Sequence, residues 1–165
     1  MNEPLAEMLR QNLWANLRLL DACAGLTDEQ LQATVTGTRG TIRDTLWHIL
    51  AGEGRYVGIL TGQVPAEAVT GAPPFPGFEA LKASAEATGR AVIAFAQSLT
   101  EDRLLDTTLD GRRYQGPASL ILIQAFNHGT EHRSQINTIL TQLGVEPASL
   151  DGWTYAQATG KLAPS

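Results

Sequence analysis

Cysteine is almost missing from this chain. Cys23 stands alone among 165 residues, so no intrachain disulfide forms and clusters of thiolate metal ligands are excluded. Histidine is nearly as scarce, with three. No apolar run approaches the ~18 residues that a membrane span needs. The start, Met1-Asn2-Glu3-Pro4, lacks the basic-then-apolar pattern of a secretory signal. Twelve basic against 17 acidic residues leave a net charge of −5, and no stretch gathers Lys and Arg on one face, so the footprint of a nucleic-acid binder is missing. These absences point to a cytoplasmic protein that acts on a small molecule, with neither nucleic acid nor membrane as partner.

What is present suits one packed unit. The chain is 43% hydrophobic and 18% charged, with none of the marks of disorder. Residues 1–165 are expected to form a single domain. Four segments carry helical periodicity. The first covers residues 4–24, with Leu5, Leu9, Leu13 and Leu20 on one stripe and Gly25 as its stop. The second covers residues 41–60, with Ile42, Leu46, Ile49, Leu50, Val57 and Leu60 facing inward. The third covers residues 78–99 and the fourth residues 117–143, ending at Gly144. Thr27-Asp28-Glu29-Gln30 is a capping-box pattern that opens a short extra turn. Pro65 and the run from Gly71 to Gly77 form a long linker, and Asp110-Gly111 is a hairpin turn. The fold expected is all-α, a four-helix bundle with a small hairpin before the last long helix.

His128-Gly129-Thr130-Glu131-His132 is the strongest chemical signal. Residues four apart on a helix stack on one face, with Cβ atoms about 5–6 Å apart, close enough for two imidazoles to share a metal. At ~100° per residue both histidines fall with Ile121, Ala125, Ile139 and Leu143, in the middle of the stripe expected to face the core. The pair alone fits two readings equally well: a metal site, or core histidines bonded to nearby polar groups. His48, on the flank of the second helix with Gly52 one turn later to leave space, tips the balance to metal. Three nitrogens from two helices leave open coordination positions, as catalytic sites do. Such a set accepts nickel, zinc, iron or copper by availability, with nickel and zinc foremost.

Other residues join this site as candidates. Asn12 and Asn16 put two amides on the inner stripe of the first helix, where they need hydrogen-bond partners. A bound water, a substrate group or solvent at the bundle end would each serve. Glu53 is read as a partner that orients a histidine, and Gln135, one turn after His132, as another. Trp14 and Trp47 fall on outer helix faces, which implies cover from a homodimer contact or from a folded-back tail carrying Trp153 and Tyr155. Cys23 sits on the inner stripe and reads as packing.

Asp44-Thr45-Leu46-Trp47-His48-Ile49-Leu50 and Asn127-His128-Gly129-Thr130-Glu131-His132-Arg133-Ser134-Gln135-Ile136 resemble the DinB-like (damage-inducible) family. So does the ending Leu143-Gly144-Val145, Leu150-Asp151 and Tyr155, so that the similarity spans essentially the whole chain. The resemblance implies a four-helix bundle, often dimeric, with a divalent metal on three side chains, here His48, His128 and His132. It also implies one of two enzymes: a metal-dependent transferase with a low-molecular-weight thiol as cosubstrate, or a metal-dependent hydrolase. A non-catalytic metal-binding module of a stress response is a third reading. The H-x-x-E-H pattern of inverted zinc proteases, with Glu131 as base, is set aside because only Glu146 and Asp151 follow as acids, in a short tail.

Overall fold

The computed structural model describes residues 2–71, 74–109 and 111–162. Ala72 and Pro73 of the expected linker and Asp110 of the expected turn lie outside the described residues. Six helices and one hairpin follow in order: α1 (Glu3–Cys23), α2 (Asp28–Leu31), α3 (Ile42–Thr61), α4 (Phe78–Ser98), β1 (Leu104–Leu109), β2 (Arg112–Pro117), α5 (Ala118–Gln142) and α6 (Gly152–Ala158).

Local chemistry places the boundaries. The Asn2, Thr41 and Asp151 side chains each accept a hydrogen bond from a backbone N–H in the first turn of α1, α3 and α6, satisfying donors that the helix leaves free. Thr27 and Gln30 complete the capping box of α2. Gly62 closes α3 with φ 77°, a left-handed conformation that glycine adopts without steric cost. Gly144, with φ 70°, follows α5 in the same way. Gly25 does not: α1 ends through Ala24 in a right-handed conformation, so the first helix stops without the expected glycine cap.

The four long helices form the bundle. Each of α1 and α3 packs against both α4 and α5, so α3 and α5 are direct neighbours while α1 and α3 face each other across the centre. β1 and β2 pair antiparallel from Leu104↔Pro117 to Leu109↔Arg112, leaning on α3 and α5. The core divides into two apolar layers. One gathers Leu19, Leu20, Ile42, Leu46, Leu50, Leu81, Ile136 and Leu140; the other gathers Leu9, Val57, Leu60, Val92, Phe95 and Leu122. No helix among the described residues is long and apolar enough to cross a membrane.

The tail does fold back, but through Tyr155 and not Trp153, which stays 73% exposed. Tyr155 of α6 is buried and stands edge-on to Trp14, ring centroids 5.5 Å apart. Its hydroxyl donates to Glu7 Oε1 at 2.8 Å, and Lys161 also pairs with Glu7. The Asn137 amide meets both backbone groups of Ala148. Trp14 is therefore covered from within the chain. Cys23 is fully buried, and burial pushes its thiol up to about 12, consistent with a packing role.

Candidate metal centre

Between the two apolar layers runs a polar one, and its centre is closed. Glu53 of α3, Arg133 of α5 and Asn12 and Asn16 of α1 are all buried. Both asparagine amides donate to Glu53 Oε1 at 2.7 Å, and both asparagine carbonyls accept from Arg133 Nη1 at 2.7 Å. Thr88 of α4 donates to Glu53 Oε2 at 3.2 Å, so all four long helices contribute. Burial raises the Glu53 carboxyl above its ordinary value, opposed by the two amides and by Arg133. Burial lowers Arg133 to about 10, opposed by Glu53.

These contacts revise the expectations for three candidates. Asn12, Asn16 and Glu53 bond to one another and to Arg133 and Thr88, not to an imidazole, because a buried guanidinium stands at hand to answer them. Arg133 itself was not singled out from the sequence. A signal was present: Gly129 lies one turn before it, and a Cβ there would stand 2.6 Å from Arg133 Nη1 and 2.9 Å from Asn12 Oδ1. The glycine leaves the space that the guanidinium fills.

The histidines occupy the rim of the same layer, where α3 meets α5. His128 and His132 are each 8% exposed and His48 is half-buried. The buried face of α5 centres on Ala118, Leu122, Ala125, Gly129, Ile136 and Leu140. The two histidines thus lie at one edge of that face rather than in its middle, because α5 packs on two neighbours and buries a wide arc. This edge turns toward α3. The three rings come together with centroids 4.6–4.8 Å apart, and one ligand atom from each lies within 4.8 Å of the others. Gly52 allows it, since a Cβ there would stand 2.7 Å from His128 Cε1.

Two of the three donors already stand at the spacing a divalent cation needs, and all three lie within 4.8 Å of one another. His128 Nε2 and His48 Nε2 are 3.0 Å apart, and two nitrogens each about 2.0–2.1 Å from one ion lie roughly 3–3.4 Å from each other. His128 Nδ1 is buried with no hydrogen-bond partner, and Nε2 is the nitrogen turned toward the His48 ring. Burial, together with the other histidines and the positive charges of Arg39 and Arg55, lowers His128 to about 3. Burial, together with Arg39, His132 and Arg55, lowers His48 to about 4. Both imidazoles are therefore neutral at neutral pH, the form that ligates. His132 Nδ1 lies 2.9 Å from Gln135 Oε1. A carbonyl oxygen only accepts, so Nδ1 carries the proton and Nε2 keeps its lone pair. Gln135 Oε1 also accepts from the Arg39 backbone N–H at 3.2 Å. Glu131 is exposed and is not among the clustered groups, so the inverted-protease pattern has no base at the site.

A sequence model of the DinB family matches residues 1–164. The chain belongs to the DinB family. A DinB-like protein from Bacillus cereus ATCC 10987, known from its crystal structure, has a similar fold, with a TM-score of 0.68 at 20% sequence identity. The match covers 90% of this chain and 99% of that one. No curated protein matches significantly. Family membership and the three-histidine cluster are together compatible with metal binding.

Proposed function

We propose that this DinB-family chain binds one divalent ion, nickel or zinc, through His48, His128 and His132 and transfers a low-molecular-weight thiol to an electrophile. The observation that supports this reading is three imidazoles converging at the half-open rim of the bundle with no carboxylate among them. An ion held there supplies Lewis acidity and lowers the pKa of a thiol brought to it. The chain's own residues do the rest. Gln135 holds the His132 tautomer, and Arg39 and Arg55 add positive potential that favours a thiolate over a thiol. In the transfer the sulfur lone pair forms the new S–C bond, the thiol proton passes to solvent, and the leaving group departs with the pair from the broken bond.

A hydrolase needs a base to take a proton from water. Glu53 is committed to Asn12, Asn16 and Thr88, and Glu131 faces solvent, which favours the thiol reading. A thiol cosubstrate also fits a reducing compartment such as the cytoplasm, and homodimerisation, checked by sedimentation, belongs to the same proposal. The test is the zinc- or nickel-loaded protein assayed with bacillithiol, mycothiol or glutathione plus an electrophilic acceptor. Metal-dependent thiol consumption, abolished by His128→Ala, is expected. No turnover with any thiol, alongside metal-dependent ester hydrolysis, would favour the hydrolase.

A further inference from the structure

A second concavity shares a wall with the histidines. A cleft of about 440 Å3 lies between the second half of α3, the hairpin and the first turns of α5, within the ~300–1,000 Å3 typical of small-molecule sites. Ile59, Leu105, Pro117, Leu120 and Ile121 make its walls apolar. Tyr56 closes one side. Its ring stands edge-on to the His128 imidazole at 5.6 Å between centroids, and its hydroxyl accepts from Gln124 Nε2 at 3.3 Å. One aromatic ring therefore separates the cleft from the histidine cluster.

Asp106 and Arg113 line an adjoining concavity that shares Arg55, but neither lines this cleft. Arg55 is the only charged one among the described residues that line the cleft, and it is exposed. Among the described residues no carboxylate pairs with it. Its guanidinium lies over the Tyr56 ring, 5.5 Å from the centroid. An unpaired, planar, five-donor group at the mouth of an apolar cleft is built to hold a planar anion.

We propose that this cleft takes the apolar body of a small carboxylic acid, with Arg55 binding the carboxylate and Tyr56 forming the wall toward the histidines. The cleft lies behind the Tyr56 ring from the metal site, so this proposal stands whether or not the transfer proposed above takes place.

The test titrates the full-length protein, metal-free and zinc-loaded, with 4-phenylbutyrate and with its neutral isostere 4-phenylbutyramide, following backbone amides by NMR. The carboxylate is expected to bind roughly fivefold or more tightly than the amide, with shifts clustered at Leu105, Gly116 and Ile121 in both forms. Arg55→Gln should bring the ratio close to one, while Arg112→Gln, on the exposed hairpin and outside the cleft lining, should leave it unchanged. Equal affinities in the parent protein, shifts elsewhere, or an unchanged ratio in Arg55→Gln would overturn the proposal. Failure to take up zinc would overturn the metal reading alone, because the metal-free titration stands without it.

Discussion

The polar layer of this bundle holds two groups of buried side chains that differ in how far their hydrogen-bonding needs are met. At its centre, Glu53 and Arg133 are bridged by Asn12 and Asn16 and topped by Thr88, and no side-chain atom of that group is buried without a partner. At its rim, His48 and His128 bring two Nε2 atoms to 3.0 Å, and His128 Nδ1 has no partner at all. Burial of polar groups is common to both. The difference teaches that a network closed on itself is a part of the scaffold, whereas imidazole nitrogens gathered within 4.8 Å of one another mark the place for a ligand.

Four changes would break or sharpen that contrast. The largest effect is expected at the centre. Glu53→Leu strips Arg133 of its counter-charge and should cost about 3–5 kcal/mol of stability, measured by urea unfolding; adding Arg133→Leu should recover part of the loss. At the rim, Gly52→Ala forces a methyl to within 2.7 Å of the present His128 Cε1 position. It should cost about 1–3 kcal/mol through overpacking and weaken metal uptake as His128 is displaced. Gln135→Leu should change stability little but lower metal affinity by about 10–100-fold, read by competition with a chromophoric chelator.

The smallest effect concerns the tail. Lys161, Tyr155 and Arg10 lower the Glu7 carboxyl to about 2, against the opposing effect of burial. A carboxyl whose folded pKa lies below its unfolded value stabilises the fold fully above the unfolded value and loses that contribution as pH falls. Docking of α6 should therefore hold at pH 6 and loosen between about pH 4.5 and 2, seen as faster amide exchange in α6 and altered Trp14 fluorescence. Exchange in α6 that stays unchanged across that range would contradict it.

Much of the architecture was legible because it is written in local terms. The 3.6-residue period of Ile42, Leu46, Ile49, Val57 and Leu60, the capping box at Thr27 and the glycine after α5 each act over a few residues. The histidine cluster was legible from i, i+4 spacing and from Gly52, whose missing side chain admits His128. Arg133 was not, because a lone arginine on a helix is ordinarily a solvated group. Its burial depends on Glu53, Asn12 and Asn16, which reach it from other helices across 80 to 121 positions of chain. The same distance hid the partners of those three residues: the sequence alone directs Glu53 toward a histidine, and Asn12 and Asn16 toward a bound water, a substrate group or solvent. The position of His128 and His132 at the edge of the buried face follows from which helices flank α5, and periodicity within α5 carries no record of its neighbours.

Metal content decides the central claim most directly. Protein purified without a nickel column should be incubated with zinc, dialysed and analysed by native mass spectrometry. One ion per chain is expected in the parent protein and none in His48→Ala, His128→Ala or His132→Ala, all three remaining folded by circular dichroism. A parent chain that retains no ion, or variants that keep theirs, would contradict the convergence of three imidazoles on one cation.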